Sequence, residues 1–278
     1  MNKKIVVVGL GLMGGSMAMA LKKYTDNEIY GYNRTKSVAE RAVNDGVLHG
    51  IADENIISQA DIMIISLYPQ ATVDFLIENM PKMKKGAIIV DFVGVKEYMD
   101  KQLTEPAKKA GVHFIGGHPM AGKEFSGYAF ADADLFQGAS MILVPNDSSP
   151  LWAVDEMDAL FNSLGFAQVV RCSPSQHDSM IAFTSQLAHV VSSAYIKSPE
   201  ALRHNGYSAG SYKDLTRVAK LNEHMWTELF LKNQDPLVRE IDEIILHLKE
   251  YRDAIANGDE DRLCTLLREG RERKESIG

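Results

Sequence analysis

The sequence predicts an α/β protein, an N-terminal doubly wound sheet of Rossmann type followed by an all-helical domain. Three observations predict it. The first half of the chain alternates short apolar runs of strand length with helix-length polar patterns. A glycine-rich turn follows the first of those runs at once. Beyond residue 171 no strand pattern recurs, and apolar residues fall at helical spacing. With 278 residues, 45% apolar and 24% charged, the chain has ordinary globular composition and the length of two domains.

Ile5 to Val8 is the first strand, and a helical pattern runs from the glycines to Lys23. Glu28 to Tyr32 reads as a second strand and Ser37 to Asn44 as a second helix. Ile62 to Leu67, Ala87 to Val90 and Val112 to Ile115 are further strand-length runs. Runs that are apolar throughout suit strands covered on both faces, as in a parallel sheet. Met141 to Val144 and Ala167 to Val170 read as late strands around a helix from Leu151 to Leu164. Cys172-Ser173-Pro174-Ser175 resembles a hinge, which divides the chain into 1–171 and 172–278. In the second part Leu237, Ile241, Ile244, Ile245, Leu248, Tyr251 and Ile255 mark one helix face. Asn257-Gly258 ends that helix, and Asp259 caps the next, which carries Leu263, Leu266 and Leu267. Such stripes serve either an internal core or a dimer interface.

Thirty basic and thirty-seven acidic residues leave a net charge of −7, which argues against nucleic acid or an anionic membrane as the main partner. Cys172 and Cys264 form no CxxC pair, so no disulfide framework and no metal site are expected, and a reducing cytoplasm fits. Lys3-Lys4 and the uncharged run to Leu21 imitate a secretory signal. That run is shorter than the ~20 residues a membrane span needs, and its glycines have another use.

Gly9-Leu10-Gly11-Leu12-Met13-Gly14 is a GxGxxG between a strand and a helix, the context in which that motif binds a dinucleotide. Gly9 permits the tight turn, Gly11 lets the backbone approach a pyrophosphate, and Gly14 lets helix pack on strand. The helix then aims its free N–H groups at the pyrophosphate. An acidic residue at the end of the second strand would bind a ribose 2′-hydroxyl and repel a 2′-phosphate. Here the strand ends in Tyr32-Asn33-Arg34-Thr35. Asn33 can hydrogen-bond the ribose, and Arg34 can pair with a phosphate or stack on the adenine. NADP is thereby permitted and NAD is not excluded.

Gly116-Gly117-His118-Pro119-Met120-Ala121-Gly122-Lys123-Glu124 follows the run Val112 to Ile115. Open α/β sheets bind ligands at the carboxyl ends of their strands, which places His118 at the site. A histidine there can accept a hydroxyl proton as hydride leaves the substrate. A second cluster lies in the helical half, with His189, Gly210, Lys213, Asp214, Arg217 and Trp226. Arg217 suits bidentate recognition of a carboxylate.

Taken together, these motifs resemble the prephenate dehydrogenase family, which includes the arogenate dehydrogenases. The resemblance runs from Gly9-Leu10-Gly11-Leu12-Met13-Gly14-Gly15-Ser16 through His118-Pro119-Met120-Ala121-Gly122. It continues through His177-Asp178, Ser185 to His189, and Lys213-Asp214-Leu215-Thr216-Arg217 with Trp226. It implies a Rossmann domain joined to a helical dimerisation domain, a homodimer, and an active site between the two domains. It implies oxidative decarboxylation of prephenate to 4-hydroxyphenylpyruvate in tyrosine biosynthesis, with NAD the family's usual acceptor. By motif position His118 would take the ring hydroxyl's proton and Arg217 would bind a substrate carboxylate. His189 and Gly210 would line the pocket, with Glu124, Asp214 and Trp226 in support.

The chain departs from the family pattern in two places. A serine commonly precedes Val-Lys after the fifth strand and contacts both the ring hydroxyl and the histidine; here that position is Gly94. Without the hydroxyl, either a water substitutes or turnover is lower. Gln186-Leu187-Ala188 lacks the His and Pro often found there, which loosens inference about substrate choice. No appended regulatory domain or fused mutase is expected. Arogenate is the alternative substrate. A β-hydroxyacid dehydrogenase would need a Lys-x-x-x-Asn helix, which Lys220-Leu221-Asn222 does not match, and a dinucleotide-binding redox sensor would show no turnover.

Overall fold

The computed structural model describes residues 2–123 and 125–278. The first strand, β1 (Lys4–Val8), is buried from Ile5 onward because helices cover both of its faces. It leads into α1 (Leu12–Tyr24), β2 (Glu28–Tyr32), α2 (Lys36–Asn44), the short β3 (Gly50–Ile51) and α3 (Glu54–Gln59). Then come β4 (Ile62–Ile65), α4 (Pro69–Asn79), β5 (Ile88–Asp91), α5 (Glu97–Ala110) and β6 (His113–Pro119). The sheet ends with β7 (Ser140–Val144), α6 (Leu151–Ser163) and β8 (Gln168–Arg171), in the order β3-β2-β1-β4-β5-β6-β7-β8. Successive side chains of a strand alternate faces. Ile5, Val7, Ile64 and Val90 therefore pack with Met17 and Leu21 of α1 and Phe161 of α6. Val6, Val8, Ile65 and Ile89 pack with Leu76 of α4 and Met99 and Leu103 of α5. This is the expected doubly wound sheet.

The expected strand Val112 to Ile115 is longer in the structure, and His118 lies inside β6 rather than in a loop after it. The reason is a change of partner. β6 pairs in parallel with β5 as far as Gly116, then continues antiparallel to β7 from Gly116↔Val144 to Pro119↔Met141. The second neighbour holds the strand extended past the end of the first, so His118 projects from regular sheet.

After β8 the described residues are helical or irregular. The stretch expected to be a hinge is the start of α7 (Pro174–Ile181), where Ser173 and Gln176 form a reciprocal capping box. A π-helical turn, Ala182–Gln186, carries the chain into α8 (Leu187–Tyr195). α9 (Gly210–Thr216), α10 (Glu223–Lys232), α11 (Gln234–Asn257) and α12 (Glu260–Ile277) follow. As expected, Gly258 ends α11 in the left-handed region (φ 64°), and Asp259 caps α12 by accepting the Arg262 N–H. The apolar stripe of α11 is divided. Leu237 is buried and Ile241, Ile244 and Tyr251 are half-buried, whereas Ile245 and Leu248 of α11 and Leu267 of α12 are 56%, 59% and 58% exposed, so only part of the stripe faces outward. Among the described residues, no helix is long and apolar enough to cross a membrane.

Candidate active site

The turn between β1 and α1 is shaped by its glycines. Gly9 has φ +87°, and a Cβ there would lie 2.3 Å from the Ser66 carbonyl oxygen. A Cβ on Gly14 would lie 1.9 Å from the Gly9 carbonyl oxygen, whereas one on Gly11 would meet nothing within 4 Å. The turn is thus closed underneath and open above. Gly11 is the N-cap of α1 and no side chain caps the helix, so its first N–H groups are left for a ligand. These features fit a dinucleotide pyrophosphate. Asn33 braces the turn: its Oδ1 accepts the Leu10 N–H at 3.0 Å and its Nδ2 donates to the Thr35 carbonyl at 3.1 Å. Both polar atoms of Asn33 are therefore engaged within the chain, while Arg34 stands exposed beside it.

The second part of the site begins where β5 ends. Asp91 is fully buried and accepts from the Val93 N–H at 2.8 Å and from Lys96 Nζ at 2.5 Å. Burial pushes the Asp91 carboxyl up and the Lys96 ammonium down, while their mutual attraction opposes both changes. The aliphatic stem of Lys96 runs against Gly116, where a Cβ would come within 2.9 Å of its Cδ. This pair fixes the segment that carries Gly94.

His118 projects beside that segment. A Cβ built on Gly94 would lie 3.7 Å from His118 Cε1, 3.9 Å from its Nε2 and 3.5 Å from Leu229 Cδ2 of α10. The other ring nitrogen, Nδ1, is 2.9 Å from Nε2 of His177, and His177 Nδ1 is 2.7 Å from Oδ1 of Asp178. Asp178 Oδ1 also accepts the Lys96 N–H at 2.7 Å, and Oδ2 accepts the Glu97 N–H at 2.9 Å. Asn233 Nδ2 secures this corner by donating to the Asp178 carbonyl and to Gln186 Oε1. Burial holds His118 well below the ordinary histidine value, reinforced by His177 and by the Lys96 charge. His177 is also lowered by burial, against the pull of Asp178.

Leu229 and Trp226 sit three residues apart on α10 and so share a face. Trp226 packs on His189 with ring centroids 3.7 Å apart. His189 Nδ1 lies 3.0 Å from the Val218 carbonyl, next to Arg217. Burial lowers the His189 pKa, and the nearby Arg217 charge adds to the effect. His118, His189, Arg217 and Trp226 thus fall into two groups linked by α10. Gly210 heads α9 with open space where a side chain would point. Glu124 lies outside the described residues.

The site also holds residues with no individual role legible in the sequence, namely Asp91, Lys96, His177, Asp178 and Leu229. His177-Asp178 stood out only as part of a resemblance, since nothing in the chain ties it to a histidine 59 positions earlier. Asp91 and Lys96, flanking Phe-Val-Gly-Val at the end of an apolar strand, carried a weak local signal.

Known proteins share this architecture. Residues 17–170 match the prephenate dehydrogenase nucleotide-binding domain, and residues 173–269 match the prephenate dehydrogenase dimerization domain. The chain is 32% identical to a cyclohexadienyl dehydrogenase from Zymomonas mobilis, across 96% of this chain and 93% of that one. A prephenate dehydrogenase from A. aeolicus, solved in complex with hydroxyphenyl propionate and NAD+, matches with a TM-score of 0.86 at 26% identity, covering 100% and 99% of the two chains. The arogenate dehydrogenase of Synechocystis matches with a TM-score of 0.83 at 27% identity, covering 99% of each.

Proposed function

The chain belongs to the prephenate dehydrogenase family, and from that premise we propose that it oxidatively decarboxylates prephenate to 4-hydroxyphenylpyruvate, a step of tyrosine biosynthesis. The observation that carries this reading is His118, which burial keeps neutral, with its Nε2 edge toward Gly94 and the α10 face. A neutral imidazole in that position is a base for a ring hydroxyl. Nε2 takes the hydroxyl proton as hydride leaves the same ring carbon. The bond to the ring carboxylate then breaks, CO2 departs, its electron pair completes the aromatic ring, and the ring oxygen takes the proton back from His118 Nε2. Aromatisation drives the sequence forward.

Arg217 binds a substrate carboxylate, and His189, Trp226 and Gly210 line the pocket. Glu124 is assigned a supporting role on sequence grounds. The backbone of Gly9, Leu10, Gly11, Leu12, Met13 and Gly14 holds the pyrophosphate. When bound, the nicotinamide dinucleotide supplies the hydride acceptor. Asn33 acts by bracing the turn, and Arg34 is the cation able to favour a 2′-phosphate. We place the domain boundary at 171/172, the homodimer contact on the exposed stripe of α11 and α12, and the protein in the cytoplasm.

The test is formation of reduced nicotinamide by purified protein given prephenate or arogenate, each with NAD and with NADP. Turnover of prephenate is expected, and the cofactor giving the higher kcat/KM identifies the acceptor. Turnover of arogenate alone moves the substrate reading to the amino compound, and silence in all four arms overturns the activity. Arg34→Ala should weaken NADP binding more than NAD binding; equal effects remove Arg34 from cofactor choice.

A further inference from the structure

We propose that Asp178 and His177 are positioning residues that fix the tautomer of His118, leaving its Nε2 bare and its Nδ1 protonated. The proposal rests on the reading of His118 as the base, but the tautomer itself can be measured without any turnover.

The relay starts at the backbone. The Lys96 and Glu97 N–H groups at the start of α5 can only donate, and between them they engage both oxygens of Asp178. A carboxylate held this way is an acceptor, so the 2.7 Å contact from Asp178 Oδ1 to His177 Nδ1 places a proton on that nitrogen. Burial and the Lys96 charge keep His177 neutral, and a neutral imidazole carries one N–H. Its Nε2 is therefore a lone pair. The 2.9 Å contact to His118 Nδ1 then requires that His118 donate, which leaves His118 Nε2 without a proton. Each bond follows from the one before it, and the direction is set by two peptide N–H groups that cannot reverse.

The path crosses the molecule twice. It leaves the sheet domain at Lys96 and Glu97, passes through α7, and returns to β6. His118 consequently has a fixed tautomer only when α7 is docked on α5. The charged and titratable groups around the relay are Asp91 on β5, Lys96 before α5, Cys172 after β8, and the relay residues themselves. When Nε2 accepts a proton, the Nδ1–H of the resulting imidazolium stays bonded to His177, and Asp178 balances the charge. Loss of the partner that orients a metal-bound histidine costs roughly 10- to 100-fold, and an effect of that order is expected for this relay.

The experiment is long-range 1H–15N correlation of the histidine rings in 15N-histidine-labelled protein, which separates protonated from bare ring nitrogens. The chain has eight histidines, and His118→Asn identifies the signals of His118 by their loss. Above the acid limb, His118 should show protonated Nδ1 and bare Nε2, and His177 should show the same pattern. In His177→Leu the single His118 tautomer should become a mixture, with kcat falling roughly 10- to 100-fold at little change in KM. His177→Gln, whose amide oxygen can still accept from Nδ1–H, should restore most of both. His118 protonated at Nε2 in the unmodified protein overturns the proposal, as does an unchanged single tautomer in His177→Leu. The unmodified protein decides the matter if the leucine variant does not fold. Expected tautomers without turnover of prephenate or arogenate would remove the activity and leave the relay. Turnover with the opposite tautomer would do the reverse.

Discussion

The turn from Gly9 to Gly14 takes its shape from its own glycines and the ends of neighbouring strands, whereas the His118 site gathers Lys96, His118, His177 and Leu229 from four parts of the chain. In the first region function belongs to the backbone, and the side chains matter mainly by being absent. In the second it belongs to side chains whose protonation depends on partners up to 82 positions away. A backbone site is therefore specified by a short motif, while a proton-transfer site is specified by the packing of two domains.

The largest effect that can test this contrast comes from His118→Asn. Loss of the base should lower kcat by ~10²–10⁴ with dinucleotide binding intact, because the nucleotide turn does not depend on His118. Turnover assays paired with a direct binding titration separate the two regions, and a fully active variant removes His118 from the chemistry. The same residue governs pH dependence. In the proposed mechanism the neutral ring is the active form, and burial, His177 and Lys96 all lower its pKa. Activity should thus persist as pH falls through about 6.5, the ordinary histidine value, and be lost only at lower pH. An acid limb above that value would mean that His118 is not desolvated as the structure places it.

This contrast also explains what was legible in the sequence. The alternating strand and helix pattern, the GxGxxG turn and the Gly258-Asp259 break between α11 and α12 depend on neighbours within a few positions, so periodicity and capping chemistry reveal them. The extension of β6 was hidden because it comes from pairing with β7, more than twenty positions further on. Ser173 to Ser175 read as a hinge because the capping residues Ser and Pro also favour turns; only the Gln176 partner shows that they open α7. His118 and Arg217 could be picked out by residue type and motif. The Asp178–His177 relay could not, because its meaning lies in which nitrogen faces which oxygen.

A mid-sized effect sharpens the backbone half of the comparison. Gly14→Ala must displace the Gly9 carbonyl, which a Cβ would approach to 1.9 Å, so unfolding should cost about 1–3 kcal/mol less. Gly11→Ala meets nothing within 4 Å, and its stability should stay within about 0.5 kcal/mol of the parent. Its methyl instead occupies the open side of the turn and should weaken dinucleotide binding. Denaturant unfolding and cofactor titration of both variants provide the check. If Gly11→Ala binds as well as the parent, the open side is not where the pyrophosphate approaches.

The smallest effect concerns Gly94, the one position where a backbone-like solution lies inside the side-chain site. Its φ is not in the left-handed region, so glycine is not needed there for conformation. A Cβ would make ordinary contacts, 3.5 Å to Leu229 Cδ2 and 3.9 Å to His118 Nε2, so Gly94→Ser fits without displacing backbone. The added hydroxyl would stand between Nε2 and the substrate's ring hydroxyl. A hydrogen bond is worth about 0.5–1.5 kcal/mol, which sets the expected gain in kcat at no more than about tenfold. An unchanged rate would show that a water already makes this bond in the parent protein. A reduced rate would show that the serine occupies the lone pair that the Asp178–His177 relay keeps free. That last outcome would locate the rate-limiting requirement in the bare Nε2 itself, so that the glycine protects the base rather than marking the loss of a partner.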